Sequence, residues 1–224
     1  MHPQAEFVQA DLADAAAVKD LFARQSFDAV MHFAASIEVG ESVRDPLKYY
    51  RNNSVNALNL IESLLEAGVG QMIFSSTAAV YGDPDQLPVT ETAALRPINP
   101  YGQTKAAVES LLADLEASGA GWRIGRLRSF NPVGAHPSGR IGEDPRGLPN
   151  NLMPFVSQVA VGQRDKLAVF GDDYPTADGT CVRDYIHVTD LAQAHILALR
   201  ALDDGSRTYN LGNGQGYTVR EVIE

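Results

Sequence analysis

Cys181 is the only cysteine in the chain, so neither an intramolecular disulfide nor a cysteine-built metal cluster can form. Such usage suits a reducing compartment. No stretch reaches the about eighteen consecutive apolar residues that a membrane-spanning helix needs. Basic residues are also short: 18 Lys and Arg stand against 28 Asp and Glu, for a net charge of −10. That sign excludes general binding to a phosphate backbone and leaves room only for a local anion site made by single arginines. The five histidines, at 2, 32, 136, 187 and 195, show no metal-ligand spacing, and no metal site is expected. The opening Met1-His2-Pro3-Gln4-Ala5-Glu6 has neither a basic n-region nor an apolar h-region, so the expectation is a soluble cytoplasmic protein.

What is present is an ordinary globular composition, 45% hydrophobic and 21% charged over 224 residues, enough for one large domain or two small ones. Short apolar runs at 27–33, 71–74 and 122–127 read as buried strands, and a further strand is expected at 6–9. Between them, 13–22, 58–66 and 106–116 carry apolar residues at spacings of three and four. Strands alternating with helices predict βαβ units, and hence a doubly wound α/β fold with a parallel sheet. After Phe130 the texture changes: glycines and prolines crowd 129–150, followed by a helix at 152–161, a strand at 167–170, and a helix at 188–201. The expected division is a dinucleotide-type sheet over 1–130 and a smaller, irregular part over 131–224.

The sharpest motif is Tyr101-Gly102-Gln103-Thr104-Lys105, directly after Asn99-Pro100. Asn99 can cap a helix whose first position suits Pro100. Tyr101 and Lys105 then share one helix face. An ammonium near a phenol favours the phenolate, which would make Tyr101 a general base. The bare spacing equally fits a surface Tyr and Lys one turn apart. Phe74-Ser75-Ser76-Thr77-Ala78-Ala79-Val80-Tyr81-Gly82 adds hydroxyls at the carboxyl end of a predicted strand, where open α/β sheets bind ligands. The segment Gly212-Asn213-Gly214-Gln215-Gly216 has the wrong spacing for a phosphate loop and reads as a turn before a helix starting near Val219.

Ser/Thr, Tyr and Lys in this arrangement resemble the triad of the short-chain dehydrogenase/reductase superfamily. Six strings narrow the resemblance: His32-Phe33-Ala34-Ala35, Val39-Gly40-Glu41-Ser42-Val43, Tyr49-Tyr50-Arg51-Asn52-Asn53, Phe130-Asn131-Pro132-Val133-Gly134, Pro149-Asn150-Asn151-Leu152-Met153-Pro154 and Val182-Arg183-Asp184-Tyr185-Ile186-His187. Together they are similar to the UDP-glucose 4-epimerase family. This resemblance implies a Rossmann-type fold, bound NAD, UDP-glucose and UDP-galactose as substrates, a role in galactose metabolism and a homodimer.

By the same resemblance Asp11 and Leu12 would border the adenine. Phe33, Ala34, Ala35, Ser36, Ile37 and Asn52 would approach the dinucleotide, and Phe130 would pack by the nicotinamide. Thr77 would hydrogen-bond the sugar 4-oxygen, Tyr101 would exchange its proton, and Lys105 would hold the nicotinamide ribose. Asn131, Asn151, Leu152, Ala168, Val169, Phe170 and Arg183 would hold the UDP-sugar, with Arg183 facing the pyrophosphate.

Two departures stand out. The family's G-x-x-G-x-x-G turn, which sets a pyrophosphate on a helix N-terminus, is absent. The chain is therefore expected to be truncated at both ends, lacking its N-terminal βαβ unit of about 30 residues, and to be inactive alone. Ile37 stands where many of these enzymes carry a lysine. Ala78 and Ala79 occupy the positions at which related nucleotide-sugar 4,6-dehydratases carry an acid and a base, which disfavours that alternative. A non-catalytic UDP-sugar-binding module is the other reading the sequence leaves open.

Overall fold

The computed structural model describes residues 5–145 and 147–224. Helix α1 (Ala15–Arg24) leads to strand β1 (Val30–His32). Then come α2 (Val39–Arg44), α3 (Pro46–Tyr49), a π-helical turn (Tyr50–Val55) and α4 (Asn56–Glu66). Strand β2 (Gln71–Thr77) is followed by a 3₁₀ turn (Ala78–Val80), the long helix α5 (Pro100–Ala117) and β3 (Arg123–Ser129). The rest comprises β4 (Asn131–Val133), α6 (Leu152–Ala160), β5 (Val182–His187), α7 (Val188–Ala201), β6 (Arg207–Leu211), β7 (Gly216–Thr218) and α8 (Val219–Ile223). No helix among the described residues is long and apolar enough to cross a membrane.

The main sheet has the order β1-β2-β3-β6, with every neighbouring pair parallel. Its period of two divides the core. Met72, Phe74 and Ile124 face α1, α4 and α5, where Ala57, Leu60, Ile61 and Leu64 repeat at helical spacing along α4. Ile73 and Leu127 point the other way, onto Ala198 of α7 and Leu202 of the 3₁₀ turn that follows it (Leu202–Asp204). Helices therefore cover both faces, as a buried parallel sheet requires. The sheet draws on both sides of the 130/131 division, since β6 pairs with β3 and α7 packs beneath. A second, small sheet joins β4 parallel to β5 and β5 antiparallel to β7.

Two expected strands do not form. Residues 6–9 and 167–170 have no regular structure. Both runs are apolar enough for a strand, but a strand exists only where a neighbouring ladder takes up its N–H and C=O groups, and neither run has one. In the other direction, β4 and β7 are three-residue strands that no alternation announced, made by pairing onto β5.

Candidate active site

All four strands of the main sheet run parallel, so their carboxyl ends share one edge. Phe33 follows β1 there, Thr77 ends β2, and Phe130 and Asn131 follow β3. Helix α5 is set against this edge by its own first turn. The Asn99 side chain accepts from the Gly102 N–H at 2.8 Å, and Pro100 occupies the first helical position. Gly102 is required by contact: a Cβ would lie 2.6 Å from the Ala79 carbonyl oxygen and 2.9 Å from the Pro97 Cβ. Close approach of α5 to the turn after Thr77 brings the Thr77 hydroxyl beside the Tyr101 phenol.

Lys105 is 4% exposed and donates from Nζ to the Ser75 carbonyl at 2.8 Å, with the ammonium 4.8 Å from the centre of the Phe74 ring. Burial pushes its pKa down to about 8, partly opposed by the Glu109 carboxylate. The sequence expectation that Lys105 lowers the Tyr101 pKa does not hold here. Burial raises it, the Thr77 hydroxyl acts in the opposite direction, and the lysine charge is spent on Ser75 and Phe74. Tyr101 thus keeps its proton at neutral pH.

Beneath the lysine lies His32, which the sequence did not single out as a site residue. It is buried, stacks on Phe74 at 5.9 Å between centres, and has its pKa lowered to about 4 by burial and then by the Lys105 ammonium. The unfolded imidazole takes up a proton below about 6.5 and the folded one resists until about 4. Stability is therefore expected to fall as pH drops through that window, by about 3 kcal/mol. Urea denaturation at pH 7 and pH 4.5 checks this. His32→Phe should lose that part of the slope, and an unchanged slope would place the acid sensitivity elsewhere.

On the β1 side, Asp11, Leu12, Ala34 and Asn52 line one open cleft with Gln9, Ala10, Asp14, Ala17 and Asn56, about 720 Å³ in volume. The π-helical turn widens the helix where Asn52 and Asn53 occur in succession, as such turns often do at functional sites. Asn52 donates to the Ser36 hydroxyl at 3.1 Å. Asn53, buried and missed at the sequence level, accepts from the Ser36 N–H at 2.8 Å and donates to the Ser36 carbonyl at 2.9 Å and to Thr104 Oγ1 at 3.1 Å. The 33–37 turn is thereby tied to the helix that carries Tyr101 and Lys105. Phe33 packs on His195, 4.8 Å between ring centres, Ala35 is half-buried, and Ile37 is exposed. A carboxylate and amides at one end and a buried ammonium with a phenol at the other suit a dinucleotide.

The residues expected to hold the sugar nucleotide are spread more widely. The Phe130 N–H donates to the Leu211 carbonyl at 3.0 Å, tying the end of β3 to β6, and Asn131, which opens β4, donates to the Asp184 carbonyl of β5 at 2.8 Å. Arg183 is exposed on β5, its guanidinium donating to the Val182 carbonyl at 2.7 Å. Asn151 is the exposed N-cap residue of α6, and Leu152 its half-buried first residue. Ala168, Val169 and Phe170 are exposed, Phe170 at 86%, without the strand expected of them. Among the described residues no hydrogen bond joins Asn151, Leu152, 168–170 or Arg183 to Thr77, Tyr101 or Lys105. In the glycine-rich 212–216 turn, the N–H groups of Asn213 and Gly214 donate to the Asp184 carboxylate at 2.7 and 3.0 Å, so these two donors are already committed within the fold.

Residues 1–212 match the NAD dependent epimerase/dehydratase family. The chain is 54% identical over 220 residues to a UDP-glucose 4-epimerase of Bacillus subtilis (strain 168), covering 97% of this chain and 65% of that protein. It superposes with a TM-score of 0.92, at 53% identity, on a UDP-glucose-4-epimerase structure from Stenotrophomonas maltophila with bound NAD and formylated UDP-arabinopyranose, covering 97% of this chain and 65% of that one. The corresponding enzyme of Bifidobacterium longum, in complex with NAD+ and UDP, gives 0.90 at 48% identity, covering 96% and 65%. The chain thus spans about 65% of the length of these relatives.

Proposed function

Because this chain belongs to the NAD dependent epimerase/dehydratase family, we propose that the protein carrying it interconverts UDP-glucose and UDP-galactose by inversion at C4 of the sugar, in galactose metabolism. The observation that carries this reading is the Tyr101 phenol beside the Thr77 hydroxyl, with buried Lys105 one turn along α5, at the carboxyl edge of a parallel sheet. NAD, when bound, supplies the chemistry that takes up and returns the C4 hydride. Asp11, Leu12, Ala34 and Asn52 would hold its adenosine end, and Lys105 its nicotinamide ribose, beside Phe130. Thr77 would orient the sugar 4-hydroxyl, and Tyr101 would take its proton as the phenolate, whose fraction rises with pH, and later give it back. Net oxidation is zero, because the sugar passes through a 4-keto form and is reduced again on its other face. Asn131, Asn151, Leu152, 168–170 and Arg183 would grip the UDP portion.

Conversion of UDP-galactose to UDP-glucose, measured by chromatography without added oxidant, tests the assignment, and net release of a dehydrated sugar would sink it. Ala78 and Ala79 have no proton to exchange, which supports epimerisation over dehydration. Since residues 1–224 contain no glycine-rich phosphate turn, this stretch expressed alone is expected to retain no NAD and to be inactive. A homodimer fits the exposed apolar side chains of Val39, Val43, Leu47, Tyr50, Val55 and Leu58 on consecutive helical segments. A cytoplasmic location fits the single cysteine.

Arg183 provides a separate check. If its guanidinium pairs with the pyrophosphate, Arg183→Ala should weaken UDP binding by about 1.5–3 kcal/mol, one to two decades in affinity by calorimetry. Unchanged affinity would mean that Arg183 serves only the edge of β5.

A further inference from the structure

One guanidinium bonds both halves of the proposed proton-transfer site from behind. Arg128 lies in β3, next to Ser129, and its side chain is 7% exposed. Its Nη2 and Nε donate to the Glu109 carboxylate of α5 at 2.6 and 3.2 Å. The third nitrogen, Nη1, donates to the Tyr81 hydroxyl at 2.7 Å and to the Glu91 carbonyl at 2.9 Å. Glu109 sits one turn beyond Lys105, which sits one turn beyond Tyr101, so the three share a helix face. Tyr81 closes the turn that begins at Thr77, and its ring lies 5.0 Å beneath the guanidinium. The ends of the network are also pinned. Ser76 donates to Glu109 at 2.5 Å, and Tyr81 donates to Asn210 of β6 at 2.7 Å.

Burying an ion pair this deeply is a poor route to stability, because an apolar pair of similar volume often does as well or better. The fork of an arginine gives fixed geometry instead. Resting on the function proposed above, we infer that Arg128 is a positioning residue. It clamps the Thr77 turn, through Tyr81, to the Tyr101–Lys105 helix, through Glu109, and so fixes the gap across which the proton moves. Neither Arg128 nor Glu109 need touch substrate for this.

The test uses the NAD-loaded protein that carries this chain. Tyr81→Phe keeps the buried ring and the ion pair but removes the arm to the turn. It should lower kcat about tenfold with KM within about twofold, the split expected when only the transition state is misaligned. Amide exchange of residues 78–82 and 101–104 should accelerate about tenfold while that of 15–24 stays at the parent rate. Replacing the pair by Arg128→Met with Glu109→Leu should keep the melting temperature near the parent's or above it, yet leave kcat low. Recovery of both stability and kcat in that double variant would reduce the pair to packing. Parent values of kcat and exchange in Tyr81→Phe would overturn the clamp, whether or not the double variant folds. Absence of epimerase activity in the parent would remove the proposed function instead, and the exchange measurement would still decide the clamp.

Discussion

Tyr101→Phe is expected to lower turnover by about 10²–10⁴-fold while NAD retention and UDP affinity stay near the parent's, since a positioned proton donor and acceptor contributes about that much. The substitution keeps the ring, which lies half-buried on α5 against the Thr77 turn, and removes only the hydroxyl. Among the described residues no other phenol is placed beside Thr77 to substitute for it: Tyr81, on the turn that follows, is buried with its hydroxyl bonded to Arg128 and Asn210. Burial raises the Tyr101 pKa, so the ligand-free phenol is protonated at neutral pH, and the alkaline side of the parent's pH profile should carry more activity than the acid side. Turnover by Tyr101→Phe at more than about a tenth of the parent rate, with NAD bound, would mean that another group moves the proton.

Lys105→Met should have two effects of opposite sign. Turnover should collapse, with NAD held less well, because the ammonium is the proposed contact to the ribose. Stability at pH 7 should rise. Burial moves the lysine pKa from 10.5 to about 8, which corresponds to about 3 kcal/mol against keeping the charge inside the fold. Loss of the bond to the Ser75 carbonyl returns about 1–2 kcal/mol of that. The net gain expected from urea denaturation at pH 7 is then about 1–2 kcal/mol, in line with the common trade of stability for a functional charge. The sign reverses with pH. Between about 8 and 10.5 the unfolded chain still binds the proton that the folded one has released, so the parent gains stability across that window and the variant does not. A variant less stable than the parent at pH 7 would show that the lysine is well paired in the fold.

The alternation of apolar runs and helical patterns was enough to predict a parallel α/β sheet, because each strand buried on both faces must be apolar throughout and each covering helix must carry a stripe. Helix α7 begins and ends at the residues expected, and α5 starts on the Asn99-Pro100 cap that the sequence announces. Those features are local, and local chemistry decides them. Tyr101 and Lys105 were likewise legible, since a helix places residues four apart on one face whatever surrounds it.

Charge states were not legible. Spacing alone said that Lys105 would lower the Tyr101 pKa. The fold instead aims the lysine at Ser75 and Phe74 and raises the tyrosine by burial, a consequence of which strand end the helix meets. Asn53, His32, and the Arg128, Glu109 and Tyr81 network, which reaches Asn210, join segments up to 129 residues apart and become partners only when β1, β2, β3, β6 and α5 pack. The strands expected at 6–9 and 167–170 failed for the same reason that β4 and β7 succeeded. The sequence by itself determined the α/β class, the helix carrying Tyr101 and Lys105, and the hydroxyl-bearing strand end. Only the tertiary structure decided which ladders close, which buried charges face one another and where protons reside, because pairing and desolvation depend on neighbours brought from distant parts of the chain.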